Sequence, residues 1–434
     1  MAEIKVIGGG LAGCEAAWQI AQRGIKVKLF EMRPARMTPA HKSDLLAELV
    51  CSNSFRASSM QNAVGLLKEE MRLLDSLIMS CADKNDVPAG GALAVDRNAF
   101  AAMVTEEILG HPLIEVVREE VNSLPQQEIT VVATGPLTSD KLAEEIAKLT
   151  GKNQLYFYDA AAPIIYGETI DYRQVYWASR YGKGSADYLN CALNQEEYDQ
   201  FYQALIEAEL YPLKDFEKGR CFEGCMPLEV MAKRGYQTML FGPLKPVGLI
   251  KENSEKKVVA VAQLRREDTA GTLFNLVGFQ TNLKWNEQKR VFRMIPGLEK
   301  AEFARFGRMH RNTFLNSPEV LTPTLQMKEH PHLLIAGQLS GVEGYLESTA
   351  AGLIAGINAS RLFRGLTPVV CPQESAHGSL LNYIVETETK NFQPMNITFG
   401  LFPPLKERIR DKQRKNSLLA ERAIAALKVW KKQI

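Results

Sequence analysis

The sequence predicts an α/β protein: a Rossmann-like domain assembled from two separated parts of the chain, with an inserted α+β domain between them. Three observations lead there. Ile4 to Glu31 reads as strand, glycine turn, helix and strand. Far downstream, Leu333 to Gly337 is a second short apolar strand ending in glycine, followed by a helix of small residues. Between the two, the composition shifts to tyrosines among basic residues. The expected division is 1–170 with 305–380 for the Rossmann-like part, 171–304 for the insert, and 381–434 for a basic helical segment.

The first unit carries the strongest pattern. Ile4 to Ile7 runs into Gly8, Gly9, Gly10, Leu11, Ala12 and Gly13, which is G-x-G-x-x-G. Gly8 permits a tight turn, Gly10 lets a pyrophosphate approach the backbone, and Gly13 lets helix and strand pack closely. The following helix, read from Cys14 to Gln22 with Gly24 as its left-handed end, offers unpaired N–H groups to the phosphates. Glu31 closes the second strand, where a carboxylate can bind both hydroxyls of an adenosine ribose. A lone glycine fingerprint is weak; strand, helix and acid together supply its context.

The chain continues with a polar loop, then a short helix over Leu45 to Val50 capped by Ser43 or Asp44. Leu67, Met71, Leu74 and Leu77 recur at helical spacing within 62–80. Asp96 is placed as the N-cap of a helix reaching about Leu109. Strands are expected at Ala92 to Val95, Ile114 to Val117 and Ile129 to Ala133. The last of these runs into Thr134 and Gly135, and resembles the strand that ends on a small residue and glycine beside the cofactor in flavoproteins, which favours FAD over NAD. From Tyr156 to Tyr211 tyrosine is dense, with Lys214, Lys218, Arg220, Lys233 and Arg234 close behind. Aromatics among cations suit stacked bases and phosphates, although the tyrosines taken alone favour ordinary core packing. In the helix from Glu347 to about Leu362, Ala350, Ala351, Gly352, Ala355 and Gly356 allow very close packing.

Charge and cysteine usage bound the setting. The net charge is +2, but residues 405–434 hold ten basic side chains against three acidic, a local +7 on a body of −5. A basic tail points to an anionic partner. Seven widely spaced cysteines, an odd number, read as free thiols in a reducing cytoplasm. No signal peptide or membrane-spanning apolar run is expected. Cys221 and Cys225 lack a second ligand pair, which argues against zinc.

Several blocks together resemble the folate- and FAD-dependent tRNA (uracil-5-)-methyltransferases: Gly8 to Gly13, Thr38 to His41, Ala47 to Ser54, Phe222 to Pro227, Met309 to Thr313, and Ala336 to Tyr345. The likeness spans nearly the whole chain. The last block is also similar to flavin-dependent tRNA wobble-uridine modification proteins. The resemblance implies a two-part, glutathione-reductase-like FAD domain. It implies methylation of C5 of a T-loop uridine in tRNA, with 5,10-methylenetetrahydrofolate as carbon donor and NAD(P)H reducing the flavin. It further implies two working thiols. Cys225 is assigned as nucleophile at uracil C6, and Cys51 as a second thiol acting on the C5 proton or the carried methylene. The FAD contacts carried over are Gly8 to Gly13, Glu31, Thr134, Gly135, Gly337, Gln338, Gly341 and Gly344; His310 and Tyr345 are assigned as stacking neighbours of flavin and pterin. No metal, membrane or obligatory protein partner is expected. Two other readings stay open: the same chemistry on a ribosomal-RNA uridine, and an FAD-containing RNA-binding subunit. A scaffold would need neither Cys225 nor Cys51.

Overall fold

A computed structural model describes residues 3–38, 40–151, 155–182, 185–211, 226–249 and 257–434. Its first sheet has five parallel strands. Strand β1 (Ile4–Ile7) lies at the centre, between β2 (Val27–Phe30) and the strand Thr130–Val132; Ile114–Val117 and Leu333–Ile335 form the edges. Residues hundreds of positions apart therefore share one sheet, as expected of a split Rossmann-like domain.

Helix α1 (Leu11–Gln22) starts three residues earlier than the pattern suggested, with Gly10 as its N-cap. Its partner is the long helix Tyr345–Phe363. A Cβ on Gly352 would strike the Ala12 backbone, and one on Gly356 the Ala16 backbone. The small-residue run thus permits two helices to meet backbone to backbone beside the sheet.

The insert is a six-stranded antiparallel sheet in the order Val175–Ala178, Tyr188–Leu193, Ala260–Arg266, Leu273–Leu276, Ile164–Tyr166, Phe303–Arg305. It begins earlier than the expected boundary at 171, because Ile164–Tyr166 already pairs within this sheet. A two-stranded ribbon, Leu155–Ala161 against Arg308–Phe314, joins it to the first domain. Its core is separate and includes Tyr198, Phe201, Phe279 and Phe292.

Three local expectations fail for tertiary reasons. The segment 62–80 is two helices, Ala63–Leu73 and Leu77–Lys84, broken at Asp75 with φ 58°. There, Gln19 on α1 donates to the Leu74 and Asp75 carbonyls, holding the break. Leu45 to Val50 is not helical; Ala47 sits at φ 51° and its N–H donates to Gly9 O at 2.9 Å. Residues 381–434 are no separate unit. Helix Lys412–Lys431 buries Leu419, Ala423, Leu427 and Trp430 in the core of the first domain, against Ala63–Leu73. Among the described residues no helix is long and apolar enough to cross a membrane.

Candidate functional site

The glycine turn is shaped by its neighbours. Gly8 has φ +106°, and a Cβ there would lie 2.5 Å from the Ala133 carbonyl oxygen. Gly13 packs so tightly that a Cβ would collide with the Gly8 carbonyl. Gly10 differs: its Cβ direction is open, with nothing within 4 Å. The first turn of α1 carries no acidic residue. A helix N-terminus without an anion of its own is suited to a phosphate.

That open direction belongs to a cleft of about 1040 Å³, its mouth included. Gly8 to Ala12, Glu31, Arg33, Thr134, Gly135, Gly337, Gln338 and Tyr345 are among the residues that line it. Two helix N-termini therefore converge on it, that of α1 and that of Tyr345–Phe363. Gly13, Gly341 and Gly344 do not line it. Gly341 abuts the Phe392 ring, and Gly344 abuts the Glu347 and Asn396 side chains. Their place is in packing rather than at the cleft surface.

The Glu31 carboxylate is already engaged. Its Oε2 accepts from Gly9 N at 2.9 Å and Arg33 Nη2 at 3.2 Å; its Oε1 accepts from Arg33 N and Nε, each at 2.9 Å. Burial pushes its pKa up, but the hydrogen bonds and charge of Arg33 outweigh this and hold it below the usual range. A ribose here must share Glu31 with Arg33. Buried Arg33 also pairs with Glu48 at 3.3 Å. His41, another lining residue, is kept neutral: burial, then the Arg33 charge, lower its pKa to about 4. Arg33 was not singled out in the sequence: its pairing with Glu31 is local, but its contacts to Glu48 and Ser43 O come from the loop that folds back over it.

Tyr345 links the cleft to the Cys51 loop. Its hydroxyl accepts from Cys51 N at 2.7 Å and from Ser52 N at 3.2 Å. Its ring sits edge-on to Phe55, with centroids 6.0 Å apart. The insert grips the same loop from the other side. Arg305 Nη2 donates to Cys51 O at 3.0 Å, and Arg265 donates to Ser52 Oγ at 2.7 Å and Asn53 Oδ1 at 2.9 Å. Arg97 donates to Leu49 O and pairs with Glu267 at 2.7 Å. The half-buried Cys51 thus lies at the seam between the domains, among arginines that sequence reasoning missed.

Other site residues are only partly placed. Cys225 and Cys221 lie outside the described residues. His310 is on the ribbon strand Arg308–Phe314, opposite Asp159; its side chain also lies outside them. The tyrosine-rich stretch divides in two. Tyr198 is buried with Tyr202 and Tyr236 around it, whereas Tyr166, Tyr172, Tyr181 and Tyr211 are exposed.

A family model described as Glucose inhibited division protein A matches residues 3–367. A protein of Pelotomaculum thermopropionicum named Methylenetetrahydrofolate--tRNA-(uracil-5-)-methyltransferase TrmFO is 60% identical over 431 residues, 99% of each chain. A protein of the same name from Anoxybacillus flavithermus is 60% identical over 432 residues, 100% of each chain. Among solved structures, Aquifex aeolicus GidA in its form II crystal matches with a TM-score of 0.71 at 18% identity, covering 98% of this chain and 73% of that one. At that identity the likeness concerns the fold alone, and the fold it shares is the one described above. With its glycine turn, its two converging helix ends and these matches along nearly its whole length, the chain belongs to the glucose inhibited division protein A family.

Proposed function

We propose that this protein transfers the one-carbon unit of 5,10-methylenetetrahydrofolate to C5 of a uridine in tRNA, with FAD held in the cleft. The observation that carries this reading is the 60% identity, over 99% of both chains, to a relative bearing that enzyme name. The cleft fits the cofactor: its glycine lining is open at Gly10, and two helix N-termini offer donors to phosphate and flavin. Bound there, FAD reduced by NAD(P)H supplies the hydride that turns a methylene carbon into a methyl.

The protein's side chains do the rest. C5 of uracil is a poor nucleophile until a thiolate adds at C6. In this reading Cys225 forms that C–S bond, and the displaced electron pair makes C5 nucleophilic. C5 then bonds to the folate-borne carbon while that carbon's two bonds to folate nitrogens break in turn, releasing tetrahydrofolate, and Cys51 acts on the C5 proton or on the carried methylene. Elimination later breaks the C–S bond and frees Cys225. Tyr345 and the arginines set the position of Cys51. The T-loop is the proposed location of the target.

Mass spectrometry of tRNA after incubation with the protein, methylenetetrahydrofolate and NAD(P)H tests this directly. 5-Methyluridine in the T-loop is expected. Unmodified tRNA beside a methylated ribosomal RNA would move the substrate to ribosomal RNA.

Tyr345→Phe tests the link between cleft and thiol. The change removes one oxygen and strands the Cys51 and Ser52 N–H groups, a cost of about 1–3 kcal/mol for each buried donor left unmet. Flavin content should persist, while the methylation rate falls by about ten- to a hundredfold as the thiol shifts. A wild-type rate in Tyr345→Phe would show that this anchoring does not matter.

A further inference from the structure

The basic tail does not extend into solvent as a free arm. Helix Lys412–Lys431 is docked by its apolar face, and Asn416 Nδ2 donates to Gln61 O at 2.9 Å. Its N-terminal end and the preceding loop are thereby fixed in place. Lys406, Arg408, Arg410, Lys412, Arg414 and Lys415 are all exposed there, with only Glu407 and Asp411 among them. Among the described residues none of the six has a carboxylate partner.

Arg410, Lys412 and Lys415 stand over a groove of about 1150 Å³, its open side included, whose other wall runs from Ile397 to Gly400. That wall leads back to the cleft. Ile397 N donates to Glu347 Oε1 at 2.9 Å, and Glu347 also pairs with Arg56, four residues beyond Ser52. Glu343 N donates to Met395 O at 3.0 Å, while Glu343 Oε2 accepts from the cleft residue Gln338 at 2.6 Å. A fixed row of cations thus begins beside the first turn of the helix that carries Tyr345.

We propose that this groove seats the ribose-phosphate backbone of the substrate RNA next to the nucleotide presented to Tyr345 and Cys51. It rests on the RNA-substrate reading above and adds where the strand runs. Long basic side chains, held at one edge of a groove, match a backbone that carries one charge per nucleotide. The tail is then part of the enzyme's RNA track, and its docking to the core gives that track a register relative to the thiol.

The test is tRNA affinity against salt for the full chain with Arg410→Gln, Lys412→Gln and Lys415→Gln combined. Three lost phosphate contacts should reduce the slope of log affinity against log salt by about 2 to 3. Flavin absorbance and NAD(P)H oxidation should stay at wild-type levels. The KM for tRNA should rise with kcat retained. A control with Lys141→Gln, Lys148→Gln and Lys300→Gln, equal in charge and remote in sequence, should keep the wild-type slope. Arg410→Lys with Lys412→Arg and Lys415→Arg should keep it too. A groove variant with the wild-type slope overturns the proposal. So does loss of polyglutamate binding with tRNA binding intact, which would assign the groove to an acidic protein. A wild-type protein that binds no RNA at any salt would instead remove the substrate reading itself.

Discussion

Gly10→Val should yield a folded, colourless protein. Gly10 has φ −79°, which any residue adopts, and its Cβ direction is clear for 4 Å, so the substituted side chain meets no protein atom nearby. The structural cost is that of a poor N-cap, about 1 kcal/mol. The functional cost is far larger. A branched side chain at the head of α1 occupies the space where a pyrophosphate must approach the backbone. FAD should be undetectable after purification, with the circular dichroism of wild type. Gly13→Ala makes the contrast. Its Cβ collides with the Gly8 carbonyl, so the main effect should be on folding, with overpacking costs of about 1–3 kcal/mol or more. A folded Gly10→Val protein that keeps its full flavin absorbance would contradict the assignment of the cleft.

Cys225→Ala should lose methylation completely while retaining FAD and NAD(P)H oxidation. The proposed work of Cys225 begins only once uracil is bound, and flavin reduction needs no thiolate at C6. In sequence, Lys218, Arg220, Lys233 and Arg234 are near and favour the thiolate, while Glu223 and Glu229 oppose them. Glu229 is buried and accepts from Thr281 Oγ1 at 2.9 Å and Asn282 N at 2.8 Å, and burial raises its pKa toward the neutral form. Cys221→Ala should still methylate. A tRNA with 5-fluorouridine at the target should form a covalent adduct with wild type, since fluorine cannot leave C5 as the proton does. Cys225→Ala should form none. Normal methylation by Cys225→Ala together with an inactive Cys221→Ala would mean that the neighbouring cysteine is the nucleophile.

Removing the tail to test its RNA contacts is not a clean experiment. A chain ending near Pro404 would lose Leu419, Leu427 and Trp430 from the core, so its weaker binding would reflect damage as much as lost charge. Substituting exposed cations leaves that packing alone.

Sequence by itself determined the features whose causes are local. The close Gly13–Gly8 approach in the glycine turn, the left-handed Gly24 at φ +74°, and the Asp96 cap that accepts from Asn98 N and Ala99 N all depend on residues a few positions apart. Short-range sterics and hydrogen bonding decide such elements wherever the segment sits. The tertiary structure decided the rest. Nothing near Tyr345 in the chain says that its hydroxyl will hold the Cys51 backbone, 294 residues away, or that Arg265 and Arg305 will close on the same loop. The break at Asp75 and the docking of Lys412–Lys431 likewise follow from partners distant in sequence. A helical pattern records which face is apolar, but not what will cover it. That is settled only when all the elements compete for one core, so the fold class and cofactor turn were readable early, while the seam around Cys51 was not.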